Sequence, residues 1–138
     1  MTKHIHGGDV YKYDHCLDFS ANCNPLGTPQ SVKQAIIDSV EDVSDYPRVG
    51  CGPLKEAIAD YEHTKKEYLI CGNGAADLIF SLSRALNPKK ALLPAPTFAE
   101  YEQALVSVGC EISRYYLKEE NDFCIQKDYP DVLKREKP

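Results

Sequence analysis

Apolar positions along the chain fall into short blocks with two different periods. Val32, Ile36, Val40 and Val43 recur every three or four residues, which predicts an amphipathic helix with one apolar stripe. Thr28-Pro29 opens it, with Thr28 as the cap and proline in the first helical position. Leu54, Ala57, Ile58 and Tyr61 repeat the pattern after Gly52-Pro53. The run Tyr68-Leu69-Ile70-Cys71 is continuous, breaks at Gly72-Asn73-Gly74, and gives way to Leu78, Ile79, Phe80, Leu82, Ala85 and Leu86. That order predicts a strand, a glycine turn and a buried helix over about residues 75–86. Asn87-Pro88 ends the helix, and Ala91-Leu92-Leu93 reads as a short buried strand. Thr97 with Glu100 three residues on fits a capping box, opening a helix that runs to about Val108 and stops at Gly109. Residues 111–117 read as a third strand, and residues 129–137 as a charged helix with Val132 and Leu133 inside. A short island, Cys16-Leu17-Asp18-Phe19, is a further candidate strand.

Alternating strands and helices imply an α/β fold with a parallel sheet. Three strands make a thin sheet, and parallel sheets need both faces covered. The pattern therefore reads as a fold cut off partway, although 138 residues suffice for one ordinary domain.

Charge and cysteine usage narrow the partners. A net charge of -5 without a basic block argues against nucleic acid and acidic membrane surfaces. No apolar run reaches membrane-spanning length, and Met1–His6 lacks the apolar segment of a signal peptide, so a cytoplasmic location is expected. The six cysteines are scattered, with no C-x-x-C pair and no histidine at zinc spacing. They read as reduced thiols serving as small hydrophobes, and no metal is expected.

Four segments carry candidate chemistry. Gly72-Asn73-Gly74-Ala75-Ala76-Asp77 places glycines between a predicted strand and a helix, where backbone N–H groups face an anion. A dinucleotide fold would want a third glycine where Asp77 stands and a carboxylate after the next strand, where Pro94-Ala95-Pro96 lies instead. The Gly-Lys-Ser/Thr ending of a nucleotide-triphosphate loop is absent as well. Two readings stay open: a single phosphate held by the N–H groups of Gly74, Ala75 and Ala76, or a tight turn without ligand. Phe98, just after the second strand, is either a face for a flat ligand or a core aromatic. Ser20-Ala21-Asn22-Cys23-Asn24-Pro25-Leu26-Gly27, two asparagines beside Pro and Gly, is ordinary turn chemistry in which an asparagine amide can also donate to a carboxylate. His6-Gly7-Gly8 is either a loose terminus or an anion contact.

In this order and spacing, "HGG", "LDFSANCNPLG", "YP", "ICGNGAADLIF" and "PAPTFAEYEQALVSVGCEI" resemble the front part of a fold-type I pyridoxal-phosphate enzyme, a three-layer fold with a mainly parallel sheet. The resemblance is to the histidinol-phosphate aminotransferase group, and within it to the threonine-phosphate decarboxylase branch of cobalamin biosynthesis. It covers residues 6–123. It implies an N-terminal arm and small-domain helix over residues 1–45 and the first part of the large cofactor domain over residues 46–138. It implies pyridoxal 5'-phosphate as cofactor, with Gly74, Ala75 and Ala76 on its phosphate, Phe98 on its ring and Tyr46 reaching the phosphate of the neighbouring subunit of a homodimer. Asn22 would bind the α-carboxylate of an amino-acid phosphate substrate, and His6 and Gly7 would lie near that substrate's own phosphate. Relatives often carry a hydroxyl or an acid where this chain has Ala75-Ala76, so a weaker grip is implied. The family's cofactor-bonding lysine, its pyridine-pairing aspartate and its carboxylate-fixing arginine have no counterpart here, and Lys89 and Lys90 fall on the wrong edge of the sheet. The implied whole is a fragment, inactive alone, binding its cofactor weakly or not at all. An aminotransferase fragment and a non-catalytic phosphate-binding module are the competing readings.

Overall fold

The computed structural model describes residues 7–13 and 15–138. The chain divides into two compact units, Met1–Lys66 and Glu67–Pro138.

In the first unit, irregular backbone leads into helix α1 (Gln30–Asp38) and, after a 3-10 turn at Val40–Ser44, into helix α2 (Gly52–Tyr61). Thr28 does not cap α1. Pro29 occupies the cap position, and no side chain bonds the first-turn N–H groups. Gly52-Pro53 opens α2 as the sequence predicts, after Cys51 in left-handed backbone at φ 52°. Only Val32 and Ile36 of the expected stripe lie on α1, 46% and 60% exposed, because the helix ends at Asp38 and Val40 and Val43 fall in the 3-10 turn. Residues 16–19 are not a strand. A strand needs a partner for its backbone, and this segment instead folds into side-chain-bonded turns. Lys66 closes the unit by donating to Glu56 Oε1 at 2.7 Å.

The second unit holds helix α3 (Gly74–Leu86), strand β1 (Lys90–Ala95), helix α4 (Ala99–Ser107), strand β2 (Glu111–Tyr116) and helix α5 (Tyr129–Glu136). β1 and β2 pair in parallel, from Lys90 opposite Glu111 to Ala95 opposite Tyr116. The expected α/β architecture with parallel strands is therefore present. The sheet has two strands rather than three. In the run at residues 68–71, Tyr68 ends a 3-10 turn (Lys66–Tyr68) and residues 69–71 stay irregular. Its apolar content suits a strand, but among the described residues no neighbouring strand takes up its N–H and C=O groups.

α4 is the crossover between the strands and packs on both α3 and β2. Ala104 on α4 is 0% exposed and, with Cys110, forms the buried apolar centre. Gly109, at φ +70°, turns the chain back toward β2. Thr97 gives no side-chain cap, because Phe98 sits at the N-cap. α3 was expected to be buried along its apolar surface, yet Leu82 and Leu86 are 59% and 69% exposed, since the described residues place nothing over that face. α5 is held to β2 by Ser113 Oγ donating to Glu136 Oε2 at 2.8 Å. Among the described residues no helix is long and apolar enough to cross a membrane.

Candidate functional site

The glycine turn ahead of α3 is organised by its own backbone. Gly74 N–H donates to Gly72 O at 2.9 Å, closing an inverse γ-turn around Asn73 at φ -82°, ψ 66°. Gly74 itself lies at φ +84°, which favours glycine. Gly72 lies against two side chains that would have to move for any larger residue. A Cβ there would meet Leu78 Cδ2 at 2.7 Å and Asp77 Oδ2 at 2.9 Å.

Asp77 reaches back so that its Oδ2 accepts the Asn73 N–H at 2.9 Å. A helix leaves its first four N–H groups without intrahelical acceptors. Here those are the groups of Asn73, Gly74, Ala75 and Ala76. Asn73 and Gly74 are engaged by the turn, which leaves Ala75 and Ala76 to meet an external acceptor at the positive end of a 13-residue helix. In the sequence pattern Asp77 stands out only as the residue in place of a third glycine. Its role in the turn is a structural addition.

Phe98 stands three residues beyond β1 and heads α4. Its ring makes an edge-to-face contact with Tyr101, with centroids 5.8 Å apart, and 45% of the residue is exposed. It is not a core aromatic. Lys90 begins β1, at the end of the strand away from Phe98. Six strand residues span roughly 16 Å.

In the first unit, Gly7 and the turn before Asn22 are brought together. Gly7 packs so closely on Ser20 that a Cβ would lie 2.1 Å from Ser20 O. Gly8 N–H donates to Ser20 Oγ at 2.8 Å. Ser20 Oγ–H and Ser20 N–H both donate to Asp18 Oδ1, at 2.5 and 2.8 Å. The Ser20 hydroxyl, followed by the Ser20 amide, holds the Asp18 carboxyl below the usual carboxylate range. Neither residue was singled out from the sequence. The signal was there in the Asp-x-Ser spacing of a side-chain-capped turn.

The two asparagines differ. Asn24 is committed to its turn, donating to Gly27 O at 2.9 Å and accepting from Leu26 N–H at 3.0 Å. Asn22 is exposed and makes no side-chain bond to the described residues. Tyr46 lies on the loop between α1 and α2 and is 91% exposed. His6 lies outside the described residues.

A second polar cluster closes the carboxyl end of β2. Tyr115 O–H donates to Asp128 Oδ1 at 2.6 Å, and its ring meets Tyr129 edge-on at 5.0 Å. The bond to Asp128, reinforced by partial burial, pushes the Tyr115 phenol above its ordinary value.

A family model described as aminotransferase class I and II matches residues 14–136. The putative threonine-phosphate decarboxylase of Caldanaerobacter subterraneus is 44% identical over 124 residues, covering 89% of this chain and 33% of that protein. The threonine-phosphate decarboxylase of Salmonella typhimurium is 39% identical over 122 residues, covering 83% of this chain and 34% of its own length. The crystal structure of the histidinol-phosphate aminotransferase from Clostridium acetobutylicum superposes with a TM-score of 0.72 at 35% identity, covering 87% of this chain and 34% of that one. The chain thus spans about a third of the length of the curated relatives it matches.

Proposed function

The chain belongs to the aminotransferase class I and II family, and on that premise we propose that it supplies the N-terminal part of a pyridoxal-phosphate enzyme of the threonine-phosphate decarboxylase type. The observation that carries this reading is the α3 N-terminus, where Ala75 and Ala76 N–H are left after the turn has used its neighbours. Two backbone donors and the helix dipole suit one phosphate group. The half-exposed Phe98 ring, at the head of a helix that packs on α3, suits a flat heteroaromatic. The residues present therefore fit the cofactor's phosphate and its ring face.

When bound, pyridoxal phosphate supplies an electron sink for the charge left on a substrate carbon when a bond there breaks. The residues of this chain bind and orient. Ala75 and Ala76 fix the cofactor phosphate through N–H donation, with Gly74 shaping the turn. Phe98 presents its ring to the pyridine. The Asn22 amide donates to the substrate carboxylate, and His6 and Gly7 contact the phosphate of an amino-acid phosphate. Tyr46 reaches the phosphate of the second subunit in a homodimer located in the cytoplasm. Lys90 does not take the place of the cofactor-bonding lysine, because it stands at the far end of β1 from Phe98.

Within each unit large apolar side chains stay open, Ile36 on α1 and Leu82 and Leu86 on α3 among them, which supports a part of a larger core over a free-standing module. The test is titration of the isotope-labelled chain with pyridoxal phosphate and with inorganic phosphate, followed by borohydride. Amide shifts centred on Ala75 and Ala76 with weak, roughly millimolar affinity are expected, with no lysine selectively labelled. Shifts elsewhere, or an adduct concentrated on one lysine, would overturn this division of roles. The aminotransferase reading is favoured by the superposition on the Clostridium enzyme. It shares every residue role given above except the identity of the phosphorylated substrate.

A further inference from the structure

Gly7 and Asn22 are fifteen positions apart in the sequence and come from different turns. The link is Ser20. Its hydroxyl hydrogen is committed to Asp18 Oδ1 at 2.5 Å, which turns an oxygen lone pair toward the Gly8 N–H at 2.8 Å. Donation to a carboxylate makes that oxygen a better acceptor, because hydrogen bonds in series polarise one another. Asp18 also takes the Ser20 N–H at 2.8 Å, so the backbone leading to Asn22 is fixed by the same atom. A second, steric observation agrees. The Gly7 Cα approaches Ser20 O so closely that any Cβ would sit 2.1 Å from it, and Gly8 adopts φ +82° with Ala21 Cβ 3.4 Å from where its own Cβ would stand.

We propose that Asp18 and Ser20 are positioning residues, a clamp that docks the Gly7-Gly8 arm on the 18–21 turn and so assembles the end of the site that grips a phosphorylated amino acid. The inference rests on the substrate roles of Gly7 and Asn22 proposed above. Without the clamp, the arm and the asparagine reach the same ligand only by ordering independently, which costs binding free energy at each encounter.

The experiment uses the chain with O-phospho-L-threonine as probe and two readouts: amide exchange at Gly8, and probe-induced shifts at Gly7 and the Asn22 side chain. In Ser20→Ala, Gly8 exchange should accelerate roughly fivefold, as expected for one lost hydrogen bond, and the apparent Kd should rise by a similar factor. Ser20→Thr keeps the hydroxyl and should restore both, a rescue that a general loss of folding would not show. Asp18→Asn should give a partial effect of the same sign. Gly7→Ala should reproduce the weakened binding through steric expulsion of the arm, with the α1 and α2 amides unmoved. Unchanged Gly8 exchange in Ser20→Ala would overturn the clamp. Faster exchange with unchanged affinity would overturn its role in binding. Absence of any probe-induced shift at Asn22 in the unsubstituted chain would instead remove the substrate reading, while Gly8 exchange still decides whether the clamp exists.

Discussion

Replacing Asp77 by alanine isolates the contribution of the side chain that organises the phosphate turn. The residue does two things. Its Oδ2 accepts the Asn73 N–H at 2.9 Å, as the acid of a capping box does from one position earlier. Its charge also lies in the first turn of α3, where a carboxylate is favoured by the helix dipole. A side-chain cap contributes about 0.5–2 kcal/mol and the dipole about 0.3–1 kcal/mol. Both Asn73 and Asp77 are exposed, so solvent screening places each at its lower end. The sum is about 1 kcal/mol, a factor of roughly five in an opening equilibrium. Hydrogen exchange at the Asn73 amide reads this directly. Asp77→Ala should raise its rate about fivefold, and Asp77→Asn, which keeps an oxygen acceptor without the charge, about twofold. Val132, whose N–H donates to Asp128 O at 3.1 Å in α5, should be unaffected. Ala75 and Ala76 keep their N–H groups in both variants, so their response to inorganic phosphate should persist. An Asn73 exchange rate that does not move in Asp77→Ala would refute the assignment of Asp77 as a turn-organising acceptor. Loss of the phosphate response in a variant that still forms α3 would refute the claim that main-chain donors alone carry the grip.

Gly74→Ala should destabilise the same turn by about 1 kcal/mol through left-handed strain alone, since its added Cβ meets nothing within 4 Å; faster Asn73 and Ala75 exchange without side-chain shifts elsewhere would check it. Ala104→Leu, at a position 0% exposed on α4, the helix that packs on α3 and β2, should cost about 1–3 kcal/mol by overpacking, seen as a lower urea midpoint for the second unit. Tyr115 should ionise above the ordinary tyrosine value, because its O–H donates to Asp128. The raised value means its contribution is complete below about pH 10 and is lost as pH climbs through the folded value. Ultraviolet titration should show Asp128→Asn returning the transition toward normal. The carboxylates run the other way. Glu56, lowered chiefly by its bond from Lys66, contributes above its unfolded value and loses that contribution as pH falls through its depressed folded value, so Lys66→Met should raise the Glu56 midpoint measured by carbon-detected NMR.

Periodicity located the helices and both strands of the sheet because those signals are local. The Val32–Ile36 stripe, the Gly52-Pro53 opening and the Gly109 stop are each set by a few adjacent residues. What failed was whatever depends on a partner. The run at residues 68–71 has strand composition, yet backbone N–H and C=O groups extend into a strand only beside another strand, and β1 pairs with β2. The two threonine caps failed for a competing reason: Pro29 and Phe98 occupy the N-cap positions that Thr28 and Thr97 were expected to fill. At the site, Gly-x-Gly ahead of an apolar helix left open an anion-binding turn or a tight turn without ligand. It did not say which donors would be left, because that depends on Asp77 reaching back to Asn73 and on the γ-turn closing at Gly74. The clamp was hidden for the same reason, since Gly8 and Ser20 are twelve positions apart and are joined by the Gly8 N–H bond to Ser20 Oγ. Apolar pattern states which faces favour burial, not what buries them. Leu82 and Leu86 on α3, and Ile36 on α1, obey the pattern and remain largely exposed. In relatives about three times as long, identity of 39–44% extends across the segments that contain these positions. Their apolar character is then best understood as matched to a larger core.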